Sequence, residues 1–393
     1  MATKRVDITG MGLVCSLGMG AEVAFDRMVA GACGIRPIDR FSAEEYAQSS
    51  GGQVPADTED ALRDLFPDDD FAGALIKGAG TEALQQAGRA VGAADPELGL
   101  VLATNFGAME TLEWCWRERV DMGTMDEDTF AMCDDFLDGI ADFFGCGGPR
   151  VQLSMSCASG AAAAALAADV LRSGRATRML AIGYDALTEY CWCGLSNLRT
   201  ISTDRLRPFD VDRSGTIFSE GAAAMLLEMD GADRTLAVLA GAATNNNAFH
   251  MTAPSVRAEG SRRVMASALQ DAGLESGAIE HICAHATGTR ANDSTEAAAL
   301  QDLFGDRLAE ITVAAHKSQL GHMMGGAGLA EGIITVLAMR RGLIPPTVNH
   351  QNLDPECVLD CIPGTAREKN FSCAITNSAG IGGNNASLVL TRA

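Results

Sequence analysis

The chain has 393 residues, 47% of them hydrophobic and 21% charged, which allows a sizeable core and argues against disorder. Its formal charge of −21 argues against general nucleic-acid binding, which needs a basic face, and disfavours attraction to anionic membranes. Twelve cysteines are scattered with no CxxC pair, so neither a disulfide scaffold nor a metal site is expected. The start, MATKRVDITGMG, lacks an apolar signal region, and the alanine-rich run 161–171 is too short to span a bilayer. A cytoplasmic enzyme is expected.

In chain order, strands are predicted at 5–15, 98–105, 150–155, 179–184 and 222–228, then at 235–245, 279–285, 311–317, 372–376 and 386–391. Helices are predicted at 21–30, 72–87, 158–172, 261–272, 294–304 and 326–341. This alternation is the pattern of an α/β protein with buried sheets. The order of elements is similar before and after residue 233, which predicts two related halves, 1–233 and 234–393. Residues 106–149 read as an inserted cap or subunit contact, rich in Met, Asp, Trp and Phe.

Cys157 stands in SMSCASG, between the strand 150–155 and the helix 158–172. Unpaired N–H groups and the helix dipole favour a thiolate there, as in a nucleophile elbow. The alternative is a buried structural thiol, because free cysteine is among the most buried residue types. Three later segments weigh against that alternative. His285 leads the turn AHATGTRAND after a strand, where open sheets bind ligands. HKSQLGH carries Lys317 and His322 ahead of MMGGAG, and NSAGIGGNN is a glycine-rich turn able to offer N–H donors. No dinucleotide fingerprint or phosphate loop occurs.

SCASGAAAA, RPFDVDRSGTIFSEGAA, HATGTRANDSTEA, HKSQLGHMMGGAG and NSAGIGGNN stand in the order and spacing of β-ketoacyl-acyl carrier protein synthases, which the chain resembles nearly end to end. The resemblance implies a thiolase-like fold: an α-β-α-β-α five-layered sandwich of two pseudo-repeated halves, usually dimeric. It implies Cys157 as nucleophile, His285 and His322 completing a Cys-His-His triad, Lys317 as the active-site lysine and Glu331 as the glutamate that orients it or sits by a structural cation. The N–H groups of Cys157 and Ile381 match the family's oxyanion hole, and Phe106 lines its acyl pocket. The implied reaction is decarboxylative condensation of an acyl-cysteine with a malonyl thioester on acyl carrier protein. Loss of CO2 drives that step, so no cofactor is expected.

The family commonly has phenylalanine where this chain has Thr216, Ala379 and Ile381, which implies a wider gate beside the cysteine, a substrate other than a straight acyl chain, or drift with compensating repacking. Docking of an acidic carrier protein needs a local basic group. Arg205 is the candidate, while Arg207 and Arg213 are expected to pair structurally with Asp210 or Asp212. Other readings are an acyltransferase using the same acyl-cysteine without decarboxylation, or a chain-length-setting partner subunit. Such subunits typically lose the cysteine. The assembly is expected to be a homodimer or a heterodimer with a related ketosynthase-like subunit.

Overall fold

Ten strands of three to ten residues carry the architecture: β1 (Val6–Cys15), β2 (Leu98–Ala103), β3 (Arg150–Leu153), β4 (Arg178–Asp185), β5 (Gly221–Met229), β6 (Ala237–Asn246), β7 (His281–Cys283), β8 (Thr312–Ala314), β9 (Cys373–Gly380) and β10 (Asn384–Thr391). The protein is described from a computed structural model covering residues 4–122, 136–229, 234–251, 253, 255 and 259–393. The middle of the 106–149 segment and the boundary expected near 233 lie outside the described residues.

The strands are hydrogen-bonded in the order β8-β7-β9-β10-β6-β1-β5-β4-β2-β3, with a short strand Gly18–Met19 folded back on β1. Numbered within its own half, each set of five runs first, fifth, fourth, second, third outward from the centre. The two sets meet where β1 and β6 share only three register pairs, Val6 with Leu239, Asp7 with Val238 and Ile8 with Ala237. Near-continuous apolar strands such as Val6–Cys15 are buried along their whole length because helices cover both faces.

Five helices form the layers: α1 (Phe71–Gln86), α2 (Ser159–Arg172), α3 (Glu259–Ala272), α4 (Arg290–Phe304) and α5 (Ala327–Arg341). α1 covers the outer face of β1, β5 and β4, while α3 covers β6, β10 and β9 and packs against α4. Between the two sets of strands lie α2 and α5, each touching strands of both. The result is the expected five-layered α/β sandwich.

Small residues permit this closeness. A Cβ on Gly10 or Gly12 of β1 would fall 2.0 and 1.9 Å from the carbonyl oxygens of Ala83 and Ala79 in α1. The glycines of ITGMG therefore seat a helix on a strand. In the central layer, a Cβ on Gly328 would lie 2.6 Å from the Ala161 nitrogen, so α2 and α5 meet almost backbone to backbone.

All ten predicted strands form, with altered limits. The 279–285 prediction shrinks to three residues because Ala286, at φ +46°, turns the chain away. The 311–317 prediction also shrinks, since Lys317 already opens a short helix. Helices at Ala56–Leu65, Met109–Met122, Phe136–Phe144 and Glu189–Asn197 went unpredicted. Phe136–Phe144 buries Ile140, Ala141 and Phe144 beside α1. Among the described residues, no helix is long and apolar enough to cross a membrane.

Candidate active site

The chain leaves β3 at Leu153 and enters α2 at Ser159 through a tight turn around Cys157. Ser156 is held at φ +53°, a conformation costing a non-glycine residue about 1–3 kcal/mol. Two hydrogen bonds hold it there. Ser159 Oγ donates to the Ser156 carbonyl at 2.6 Å, and Ser156 Oγ donates to the Ile381 carbonyl at 2.8 Å. Gly380 presses on the same turn, where a Cβ would stand 2.8 Å from the Met155 carbonyl oxygen and 3.0 Å from the Cys157 nitrogen. The glycine-rich turn between β9 and β10 is thereby fixed against the cysteine.

The N–H groups of Cys157 and Ile381 both favour the charged form of the Cys157 sulfur, as does the nearby Lys317 charge. Burial outweighs them, with a further rise from Asp185, and pushes the thiol up to about 11. The expected thiolate is thus not the resting species. Desolvation of a 9% exposed thiol outweighs the helix start.

His285 follows β7, and its ring is positioned through its backbone. Glu296 accepts from the N–H groups of His285 and Ala286, both at 2.8 Å, while Asn377 Nδ2 donates to Glu296 Oε1 at 2.6 Å. His322 lies in the turn after the short helix Lys317–Leu320 and stacks on Phe218, with ring centroids 5.5 Å apart. The two imidazoles meet edge to face at 5.5 Å and 85°. Burial first, and then the Lys317 charge, hold both well below the ordinary histidine range, so both are neutral.

Their tautomers follow from their partners. The Lys317 Nζ group, which as an ammonium has only donors, lies 3.3 Å from His285 Nδ1. Met324 N–H donates to His322 Nδ1 at 3.2 Å. Each Nδ1 is then an acceptor, and each proton sits on Nε2. Lys317 also donates to Glu331 at 2.5 Å, and burial pushes that carboxyl up to about 7 against the opposing lysine charge.

Cys157, His285, His322, Phe106, Thr216, Ala379 and Ile381 all line one cavity of about 510 Å³. Lys317 and Glu331 stand behind His285, fully buried. Arg205 is exposed and lies outside the cavity wall, with no ion pair among the described residues. The pairings expected of its neighbours are corrected. Arg207 pairs with Asp204 at 2.5 Å, while buried Arg213 pairs with Asp354 and lies 3.8 Å from Asp293. Asp210 instead accepts backbone N–H groups from Asp212, Gln351 and Asn352, so its carboxylate is already satisfied.

Glu296, Phe218 and Asp185 were missed by sequence reasoning. Glu296 follows His285 on the next helix, one residue type among many acids. Only its two backbone acceptor bonds reveal its part. Among the described residues no group of three or more His, Cys, Asp or Glu side chains could hold a metal ion.

The profile described as beta-ketoacyl synthase, N-terminal domain, matches residues 3–231, and that for the C-terminal domain matches residues 236–351. The chain is 32% identical over 413 residues to a 3-oxoacyl-[acyl-carrier-protein] synthase 2 of Synechocystis, covering 99% of this chain and 98% of that one. It is 34% identical over 397 residues to Nodulation protein E of Rhizobium leguminosarum bv. trifolii, covering 98% of each. A solved structure described as the ishigamide ketosynthase/chain length factor superposes with a TM-score of 0.91 at 32% identity, covering all of both chains. The two profiles together match well over half of the chain and the relatives align over nearly all of it, and the chain belongs to the β-ketoacyl synthase family.

Proposed function

We propose that the protein catalyses decarboxylative Claisen condensation of an acyl-cysteine with malonyl-acyl carrier protein, in fatty-acid or type II polyketide synthesis. One observation carries this reading. A buried cysteine shares one cavity, about 510 Å³ in volume, with two neutral imidazoles whose Nδ1 atoms are both engaged as acceptors. Paired neutral donors suit an enolate oxygen, and they add no buried cation when the site is empty.

In the first half-reaction Cys157 Sγ forms a bond to the acyl carbonyl carbon and the carrier's thioester bond breaks. The thiol proton leaves with the carrier sulfur. In the second, the bond between malonyl C2 and its carboxylate breaks and CO2 departs. The electron pair passes to the enolate, whose oxygen His285 and His322 stabilise. C2 then attacks the acyl-cysteine carbonyl, and the tetrahedral oxyanion receives the N–H groups of Cys157 and Ile381. The oxyanion collapses, the Cys157–acyl bond breaks, and the sulfur leaves as a thiolate that takes a proton from solvent. Ala379, Ile381 and Thr216, smaller than phenylalanine, leave the entrance to the cysteine wide, while Phe106 bounds the chain.

Intact-mass spectrometry with a panel of acyl carrier proteins tests this directly. The expected result is one acyl adduct per chain on Cys157, and CO2 release once malonyl carrier protein is added. Cys157→Ala is expected to abolish the adduct while still permitting malonyl decarboxylation. An adduct without CO2 indicates plain acyl transfer, and no adduct indicates a silent partner subunit.

The partner in this reading is acyl carrier protein, in keeping with the name of the Synechocystis relative. Arg205, exposed and without an ion pair among the described residues, is its proposed contact. Arg205→Glu is expected to raise the Michaelis constant for the carrier protein about fivefold, near 1 kcal/mol, with kcat unchanged. An unaltered constant removes Arg205 from the interface. The edge strand β3, with one side unpaired among the described residues, suits pairing with a second subunit, identical or related. The chain is read as two halves divided near residue 233. Every described cysteine is free, which supports a cytoplasmic location.

A further inference from the structure

Three separately built parts of the site converge on one carboxylate, that of Asp185 at the buried end of β4. Its Oδ1 accepts from Thr104 Oγ1 at 2.6 Å and from the N–H groups of Asn105 and Phe106 at 3.0 and 2.9 Å. Its Oδ2 accepts from the Gly325 N–H at 2.7 Å and is 3.1 Å from the Asn105 nitrogen. Thr104 Oγ1 in turn accepts from the N–H groups of Phe106 and Gly107 at 3.2 and 2.8 Å. The loop carrying Phe106 is thus wound around the Thr104–Asp185 pair.

On the other side, Gly325 belongs to the turn that carries His322. A Cβ on Gly325 would stand 2.8 Å from both Asp185 Oδ2 and Thr104 Cα. A Cβ on Gly160, three residues after Cys157 and the second residue of α2, would stand 2.8 Å from the Gly325 carbonyl oxygen. The nucleophile helix, the histidine turn and the acyl-pocket loop therefore meet backbone to backbone at this point.

We propose that Asp185 is a positioning residue that fixes His322 and Phe106 relative to Cys157, so that one carboxylate governs both the enolate-stabilising imidazole and the seat of the acyl chain. The proposal rests on the condensing reading given above. Its physical basis is acceptor count. A carboxylate offers only acceptors, and here both oxygens are used: Oδ1 serves the loop after Thr104 alone, while Oδ2 takes the Gly325 N–H and shares that of Asn105. The Gly325 bond matters for His322 because the neighbouring Met324, held at φ +49°, supplies the N–H that keeps the His322 proton on Nε2. Phe106 depends on the other oxygen.

An amide at this position keeps one acceptor and turns its NH2 toward an N–H or O–H donor on the other side. Asp185→Asn is therefore expected to lower malonyl decarboxylation about 10–100-fold, as for loss of a bond to a charged acceptor. Acylation of Cys157 by a two-carbon chain should stay within about threefold of wild type, because neither oxygen touches the cysteine turn. Thr104→Val removes only the loop side. It is expected to slow acylation by long chains about tenfold relative to the two-carbon chain, with decarboxylation within about twofold.

Intact-mass acylation rates with short and long acyl carrier proteins, beside CO2 release, give all four numbers. Equal losses of acylation and decarboxylation in Asp185→Asn would overturn the proposal and leave a purely structural aspartate. If Asp185→Asn does not fold, a Thr104→Val enzyme with the wild-type ratio of long to short chains overturns it independently. Failure of the condensing reading shows differently, as a wild-type protein that takes no acyl group or releases no CO2.

Discussion

Replacing Glu331 with leucine is expected to lower the unfolding free energy by about 3–5 kcal/mol and to reduce condensation by about 10²–10³-fold. Lys317 and Glu331 are 1% and 3% exposed and meet at 2.5 Å, so neither charge has water to fall back on. Leucine leaves the ammonium buried without its anion. The catalytic loss has a separate origin. Lys317 also donates to His285 Nδ1, and that bond places the imidazole proton on Nε2. A lysine that loses its proton or moves away releases the tautomer, and the enolate loses one of two donors. It also removes the positive charge that holds the Cys157 thiol down against burial.

The double variant Lys317→Met/Glu331→Leu separates these effects. Apolar replacement of a whole buried pair is often neutral, so stability should return to within about 2 kcal/mol of wild type. Condensation should not return. Urea denaturation of the four proteins in the cycle, beside CO2 release, measures both. Recovery of activity in the double variant would show that the pair serves the fold alone.

The second large effect is a pH dependence set by His281, far from the cysteine. His281 is fully buried, its Nδ1 lies 2.9 Å from Thr312 Oγ1, and its ring packs against Phe371 at 4.8 Å. Burial, with the nearby His316 and Lys369, lowers its pKa from 6.5 to about 3. The folded protein therefore keeps this imidazole neutral where the unfolded chain protonates it. Its contribution to stability is complete above about pH 6.5 and is lost as pH falls toward 3.

The whole-protein curve mixes this loss with an opposite gain. Burial raises Asp293 to about 7 and Asp185 to about 6, and such groups stabilise the fold increasingly as pH drops toward the ordinary carboxylate range. A comparison with His281→Gln cancels those common contributions. The difference in unfolding free energy between wild type and variant should shift by about 2–3 kcal/mol in the variant's favour from about pH 7.5 to about pH 4.5. A constant difference across that range would mean that His281 titrates normally in the folded state. His316, buried with its pKa also lowered to about 3, predicts the same behaviour in His316→Gln.

Much of the site was legible as motif because its reacting groups sit on strand ends and turns whose composition is itself unusual. Cys157 is flanked by small residues because α2 must touch α5, His322 precedes a glycine run, and Gly380 must let Ile381 reach the cysteine. Each of these requirements leaves small or reactive residues in a short, recognisable stretch. The strands were equally legible, because burial on both faces demands continuous apolar runs.

Other features depended on long-range placement. Asp185 lies outside the motifs and Glu296 is one acid within HATGTRANDSTEA, and their importance lies in N–H groups that folding brings to them: Phe106 and Gly325 for one, His285, Ala286 and Asn377 for the other. The resting state of Cys157 belongs here too, since the local turn favours a thiolate and only the surrounding burial reverses that. By itself, the sequence determined where strands and helices fall along the chain, because apolar periodicity specifies them, and its motifs singled out the proposed reacting residues through their resemblance to a family. Only the tertiary structure decided the protonation of the thiol, the imidazole tautomers and the partners of the arginines, because desolvation and hydrogen bonding are summed over neighbours far apart along the chain.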